Sequence, residues 1–222
     1  MKRKSGRADR RTEALSQGRI VAAAIELLDS EGEDGLTFRA LAARLATGAG
    51  AIYWHVADKD ELLAATTDEV VAAVMSIIGD EAAPADAIRA VALGLFDAID
   101  AHPWVGAQLA RAPWQSAMLQ IFERVGVQLQ ALRVPKRAQL FAASALVNYV
   151  LGCAGQNAAA ARNPAHGGDR DAFLATIAAR WSKLDAATFP FIRQMAKQLP
   201  GHDDREQFLA GIDLILAGIA AG

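Results

Sequence analysis

The sequence predicts an all-α protein of two parts, a compact three-helix head and a larger helical bundle. Three observations carry that prediction. Apolar residues recur at three- and four-residue spacing almost throughout, with hardly any period-two alternation. Alanine, the strongest helix former, is abundant. Gly and Pro fall in small clusters that cut the chain into pieces of helical length.

Composition narrows the class. The chain has 222 residues, 53% of them apolar and 22% charged, which is enough to bury a core without disulfides or a structural metal. The single cysteine, Cys153, excludes an internal disulfide and a Cys-based zinc cage. The formal net charge of -2, set against that apolar content, excludes a mainly disordered chain. No apolar stretch follows the basic start, so a secretory signal is not expected and the cytoplasm is. Residues 138–161 carry no charge and are long enough to span a bilayer, but Gln139, Ser144, Asn148, Gln156 and Asn157 interrupt them. A buried helix of a soluble protein is the expectation.

Each element has a local reason. Ile20, Ala23, Ala24, Leu27 and Leu28 form one stripe, predicting a helix over Ser16–Ser30 that ends at Gly32 and Gly35. Thr37 is placed to cap a short helix over Phe38–Leu45. Ala46-Thr47-Gly48 is a turn, and a third helix covers Ala49–Val56. Asp58, with Glu61 three residues on, opens a long helix to Ile78. Pro84 starts a helix that runs to Ala101, and His102-Pro103 closes it. Helices follow at Trp104–Arg111, Trp114–Leu132 and Lys136–Ala161. Beyond a polar loop, the expected helices are Asp171–Lys183, Ala186–Leu199 (interrupted at Pro190) and Asp204–Ala220.

The first part, residues 1–58, reads as a basic arm and a helix-turn-helix; the second, 59–222, as the bundle. Residues 1–19 carry a net charge of +5 on a chain that is acidic from residue 60 onward, as a DNA-contacting end requires. Ile20, Ala24, Leu27, Phe38, Leu41, Ala42, Leu45, Ile52, Tyr53 and Val56 are the expected core of the head. The second helix of such a pair enters the major groove.

The specific signal is Leu36-Thr37-Phe38-Arg39-Ala40-Leu41-Ala42-Ala43-Arg44-Leu45, then Gly50-Ala51-Ile52-Tyr53-Trp54-His55-Val56 and Asp58-Lys59-Asp60-Glu61-Leu62-Leu63. Over residues 16–64 this resembles the DNA-binding domain of TetR-type transcriptional regulators. The resemblance implies a homodimer that binds a near-palindromic double-stranded DNA operator. It also implies release when a small molecule occupies the C-terminal part. Carried over by position, the DNA-binding residues are Thr37, Arg39, Thr47, Gly48, Ala49, Gly50, Ala51, Tyr53, Trp54, His55 and Lys59. The usual Gly-Val-Ser turn of the family is here Ala46-Thr47-Gly48, so the serine cap is lost. Gly50 and Ala51 leave few hydrogen-bonding groups at the front of the helix, which shifts base reading toward Arg39, Thr47 and methyl contacts. The basic arm adds minor-groove contacts.

In the bundle, the charge-free helix and the last helix are apolar nearly all round and are expected to form a four-helix dimer interface. The candidate ligand-binding residues are Phe96, Trp104, Trp114, Met118, Phe122, Asn148, Tyr149, Gln156 and Trp181. Cys153 reads as a small core residue. None of the four histidines pairs with another at helical spacing, and His202-Asp203-Asp204 reads as helix capping, so no metal, cofactor or catalytic centre is expected. The alternative function is a DNA-binding regulator without an effector, or an activator.

Overall fold

The computed structural model describes residues 15–77, 79, 82–162 and 169–221. The basic arm through residue 14 and most of the polar loop after Arg162 lie outside the described residues. Those that are described form helices and no strand. The chain divides into two compact units, residues 1–66 and 67–222.

The first unit contains α1 (Gln17–Gly35), α2 (Phe38–Arg44), α3 (Ala49–Ile52) and the start of α4 (Lys59–Ile77). Ser16 caps α1, accepting from the Arg19 N–H. Gly32 interrupts α1 with φ +72°, a left-handed value open to glycine, so the regular helix ends close to the expected place and one further turn follows. Ile20, Ala24, Leu27, Leu28, Leu36, Leu41, Ile52 and Val56 are buried together. Phe38 and Leu45 are only half-buried, and Tyr53 is exposed, so the expected core was too wide. An Arg44–Glu26 ion pair at 2.6 Å ties α2 to α1.

The second unit contains the rest of α4 and α5 (Pro84–Ala101), α6 (Pro103–Arg111), α7 (Ser116–Ala131), α8 (Lys136–Ala161), α9 (Arg170–Ser182), α10 (Pro190–Met195) and α11 (Asp204–Ala221). Pro84, Pro103 and Pro190 each open a helix, where the missing N–H costs nothing. Pro190 therefore starts α10 instead of interrupting a longer helix. The preceding turn is held by the Asp185 carboxylate, which accepts from the Thr188 N–H and hydroxyl.

α8 is the centre of this unit and packs on α5, α6, α7 and α11. Its length and composition would suit a membrane span. Within the chain it buries one face, through Ala143, Leu146, Val147, Val150, Ala154 and Ala158. Phe141 is exposed on the opposite side and Leu140 is exposed near the N-terminal end, so within the single chain the helix is buried on one face. In α11, Phe208, Ile212 and Leu216 form the buried stripe and Leu214 is exposed.

Candidate nucleic-acid interface and effector cavity

The first site is built by the turn between α2 and α3. α2 ends in a left-handed C-terminal cap: the Thr47 N–H reaches the Ala42 carbonyl and the Ala46 N–H the Ala43 carbonyl. That geometry puts Ala46 at φ +50°, a position that favours glycine. Gly48 then precedes α3 with an extended backbone and no side-chain cap. α3 is only Ala49–Ile52, shorter than the sequence suggested; Tyr53, Trp54 and His55 lie in the tight turn that follows, where the His55 N–H bonds the Ile52 carbonyl. Buried Ile52 and Val56 anchor the two ends of this turn. The three residues between are thereby left outside the core.

The result is a set of outward-facing side chains. The Tyr53 ring stacks on Phe38, centroids 4.4 Å apart and planes within 5°, while the residue stays 55% exposed. Trp54 is 90% exposed, which excludes a packing role inside the head. His55 and Arg39 are exposed, and Arg39 makes no ion pair among the described residues. Thr37 Oγ1 accepts from the Ala40 N–H at 3.1 Å, and its hydroxyl proton remains available to an acceptor. Gly48 and Gly50 are exposed, with Thr47, Ala49 and Ala51 half-buried beside them. Lys59 donates to the Glu33 carbonyl at 2.5 Å, which fixes the ammonium while leaving two of its protons. Cations, hydroxyls, small residues and an aromatic ledge on one helical motif suit a phosphate backbone and a groove edge.

The second site is a cavity of about 280 Å³ in the second unit, between α5, α8, α9 and the start of α11. Phe96, Tyr149, Phe173 and Phe208 form its aromatic wall, with Phe208 stacked against both Phe96 (4.5 Å) and Tyr149 (5.6 Å). Gln156, Asn157, Arg170, His202 and Asp204 supply polar groups. Of the nine residues expected from the sequence, the cavity gathers Phe96, Tyr149 and Gln156. Trp104 and Met118 are buried in the core; Trp114 and Asn148 are exposed, Trp181 is half-buried, and Phe122 lines a separate surface groove with Met75 and Leu119. Asn148 is no buried amide in search of a partner, because it lies one residue, about 100° of helix, past buried Val147. Cys153 is half-buried at the cavity and touches Tyr149.

Sequence reasoning missed Arg170, Asn157 and Asp204. The cluster at His202 was noticed and assigned to capping, and Asp203 does cap α11, accepting from the Arg205 and Glu206 N–H groups. Its neighbour Asp204 instead receives Arg170 Nη2 at 2.6 Å and lies 3.3 Å from His202 Nε2. No group of three or more metal-ligating side chains exists among the described residues.

The tyrosine has a special fit. Its hydroxyl donates to the Phe208 carbonyl and lies so close over Gly211 that any Cβ there would collide with it. Burial, then the contact with Cys153, pushes the phenol up to about 12.

Two family models match the chain: bacterial regulatory proteins of the tetR family over residues 20–66, and the tetracyclin repressor-like C-terminal domain over residues 82–222. The chain belongs to the TetR family. An HTH-type transcriptional regulator of Saccharopolyspora erythraea is 31% identical to this TetR protein over 208 residues, 93% of this chain and 85% of the relative. A TetR transcriptional regulator of Streptomyces coelicolor superposes with a TM-score of 0.85 at 55% identity, covering 93% of this chain and 98% of that one. ActR of Streptomyces coelicolor, solved in complex with actinorhodin, superposes at 0.76 with 26% identity, covering 94% and 98%. The chain is thus a DNA-binding transcriptional regulator with the TetR fold.

Proposed function

We propose that this TetR regulator is a homodimeric repressor, released from a near-palindromic operator when a small molecule fills the cavity between α5, α8, α9 and α11. The outer surface of the α2–α3 motif carries the DNA half of the reading. Arg39, Thr37, Tyr53, His55 and Lys59 contact phosphates and base edges, with Trp54 against the backbone. Thr47 and the small residues Gly48 to Ala51 let α3 approach closely. The aromatic cavity carries the effector half, and ActR in complex with actinorhodin supports ligand binding in a body of this architecture.

The dimer reading rests on the exposed apolar faces of the two helices named for it. Phe141 is 74% exposed and Leu214 75%, on helices that already bury their opposite sides. A second copy covers them. The expected solution mass is twice the 23.5 kDa of the chain, and Phe141→Lys shifts gel filtration toward that single-chain mass. A monomeric wild type contradicts the proposal.

Coupling runs through α4. We keep the functional division at 1–58 and 59–222, because α4 continues from the head into the body as one helix. Ligand in the cavity favours one tilt of α4 and so one spacing of the two recognition motifs, which must match half-sites about 34 Å apart. The experiment is a screen for compounds that release a bound operator duplex. A compound that binds tightly yet leaves operator affinity unchanged refutes the linkage.

A further inference from the structure

The Tyr53 side chain has a single support. It lies in the turn after α3, 55% exposed, and its hydroxyl makes no hydrogen bond among the described residues. What holds the ring is the face of Phe38, parallel to within 5° at a centroid distance of 4.4 Å.

Phe38 is the fixed partner of the two. It is the first residue of α2, between buried Leu36 and Leu41. Thr37 pins that turn twice: its hydroxyl oxygen accepts from the Ala40 N–H, and its carbonyl from the Leu41 N–H at 2.9 Å. The Phe38 ring is itself half-buried. The stack therefore joins the start of α2 to the residue that follows α3, independently of the turn that connects them.

An exposed tyrosine without such a partner samples several rotamers. Ordering a free side chain on binding weakens each contact by roughly threefold or more. A ring held in advance avoids that loss and keeps the phenol oxygen in one place, ready to donate its proton to a phosphate oxygen.

Resting on the reading of Tyr53 as a DNA contact, we infer that Phe38 is a positioning residue for operator binding. Its ring face holds the Tyr53 phenol where a DNA phosphate meets it. Neither side chain is charged, so the stack contributes to affinity without adding to its salt dependence.

Anisotropy titration of the full-length protein on a duplex recovered by selection from random sequence tests this, at several salt concentrations. Phe38→Leu fills space but has no flat face. It is expected to weaken binding about tenfold, roughly threefold at each of two half-sites, with an unchanged slope of log affinity against log salt. Tyr53→Phe keeps the ring, loses the hydroxyl and also weakens binding about tenfold. Adding Phe38→Leu to Tyr53→Phe costs less than about twofold more, because the contact it served is already gone. Phe38→Tyr keeps the flat face and binds within about twofold of wild type. Phe38→Met serves in place of Phe38→Leu should the latter melt early. An undiminished loss in the Tyr53→Phe background, or a lower salt slope in Phe38→Leu, marks a head distorted as a whole and overturns the inference. Wild-type affinity in Phe38→Leu or in Tyr53→Phe overturns it too, and leaves operator binding itself intact. Recovery of no sequence motif by the wild type overturns the operator reading and the inference with it.

Discussion

Ala46 holds a backbone conformation, φ +50°, that costs an L-residue about 1 kcal/mol and glycine much less. The sequence marked the Ala46-Thr47-Gly48 turn as a departure from the family pattern, and the structure shows where the departure acts. Ala46→Gly is expected to stabilise the protein by about 0.5–1 kcal/mol, read as a higher urea midpoint at unchanged slope. Tyr149 gives a second test at this scale. Its raised phenol means that the folded state favours the protonated form. The corresponding stability is fully present below the unfolded value of about 10 and is lost as pH rises through about 12. The chain has two tyrosines, so in Tyr53→Phe the phenolate absorbance reports Tyr149 alone. It is expected near 12, and a titration near 10 would show that the phenol is not buried. The Thr37 cap was legible because capping is a local, one-residue event. The collision that reserves Gly211 for Tyr149 was not, since it joins residues 62 positions apart in the chain.

Among the elements, helix starts and stops were read well where a strong signal stood at the boundary. α8 runs from the residue after Pro135 to the edge of the polar loop, as expected. α3 was overestimated, because Tyr53, Trp54 and His55 continue an apolar pattern while the backbone tightens into a turn. One capping interaction lies beyond any local reading. α7 begins at Ser116 with no side-chain cap from Gln115, and the Asp68 carboxylate of α4 accepts from the Ala117 N–H and the Ser116 hydroxyl instead. The Asp68 Oδ1 atom is buried without a hydrogen bond among the described residues, and burial raises the carboxyl above its ordinary range despite those two donors. Two substitutions separate these effects. Asp68→Ala removes the cap and costs about 1 kcal/mol of stability. Asp68→Asn keeps an acceptor and avoids burying a charge, so at pH 7 it is expected to melt at or above wild type. An Asn variant as unstable as the Ala variant would show that the charge itself holds α4 to α7.

At the scale of the whole molecule, the two parts were legible to different degrees. The head is made of residues close in sequence, and its outer surface follows from which positions Ile52 and Val56 bury. The cavity assembles residues from α5, α8, α9 and α11, and periodicity cannot say which aromatic of a bundle lines a space and which fills one. Phe96 and Phe208 meet across more than a hundred residues, while Trp114, equally aromatic, faces outward. The Arg170–Asp204 pair closes an even less visible distance, joining the starts of two helices on either side of α10. The proposed function rests on the head reading a DNA sequence. The most direct measurement is a selection from random duplexes with the full-length protein, followed by anisotropy titration of the winner across a salt series. The expected result is a two-fold symmetric sequence, bound by two chains and weakened by Arg39→Ala, with a specific affinity that outlasts non-specific binding as salt rises. Recovery of no motif, with binding that only decays with salt, would reduce the interface to phosphate attraction and contradict it.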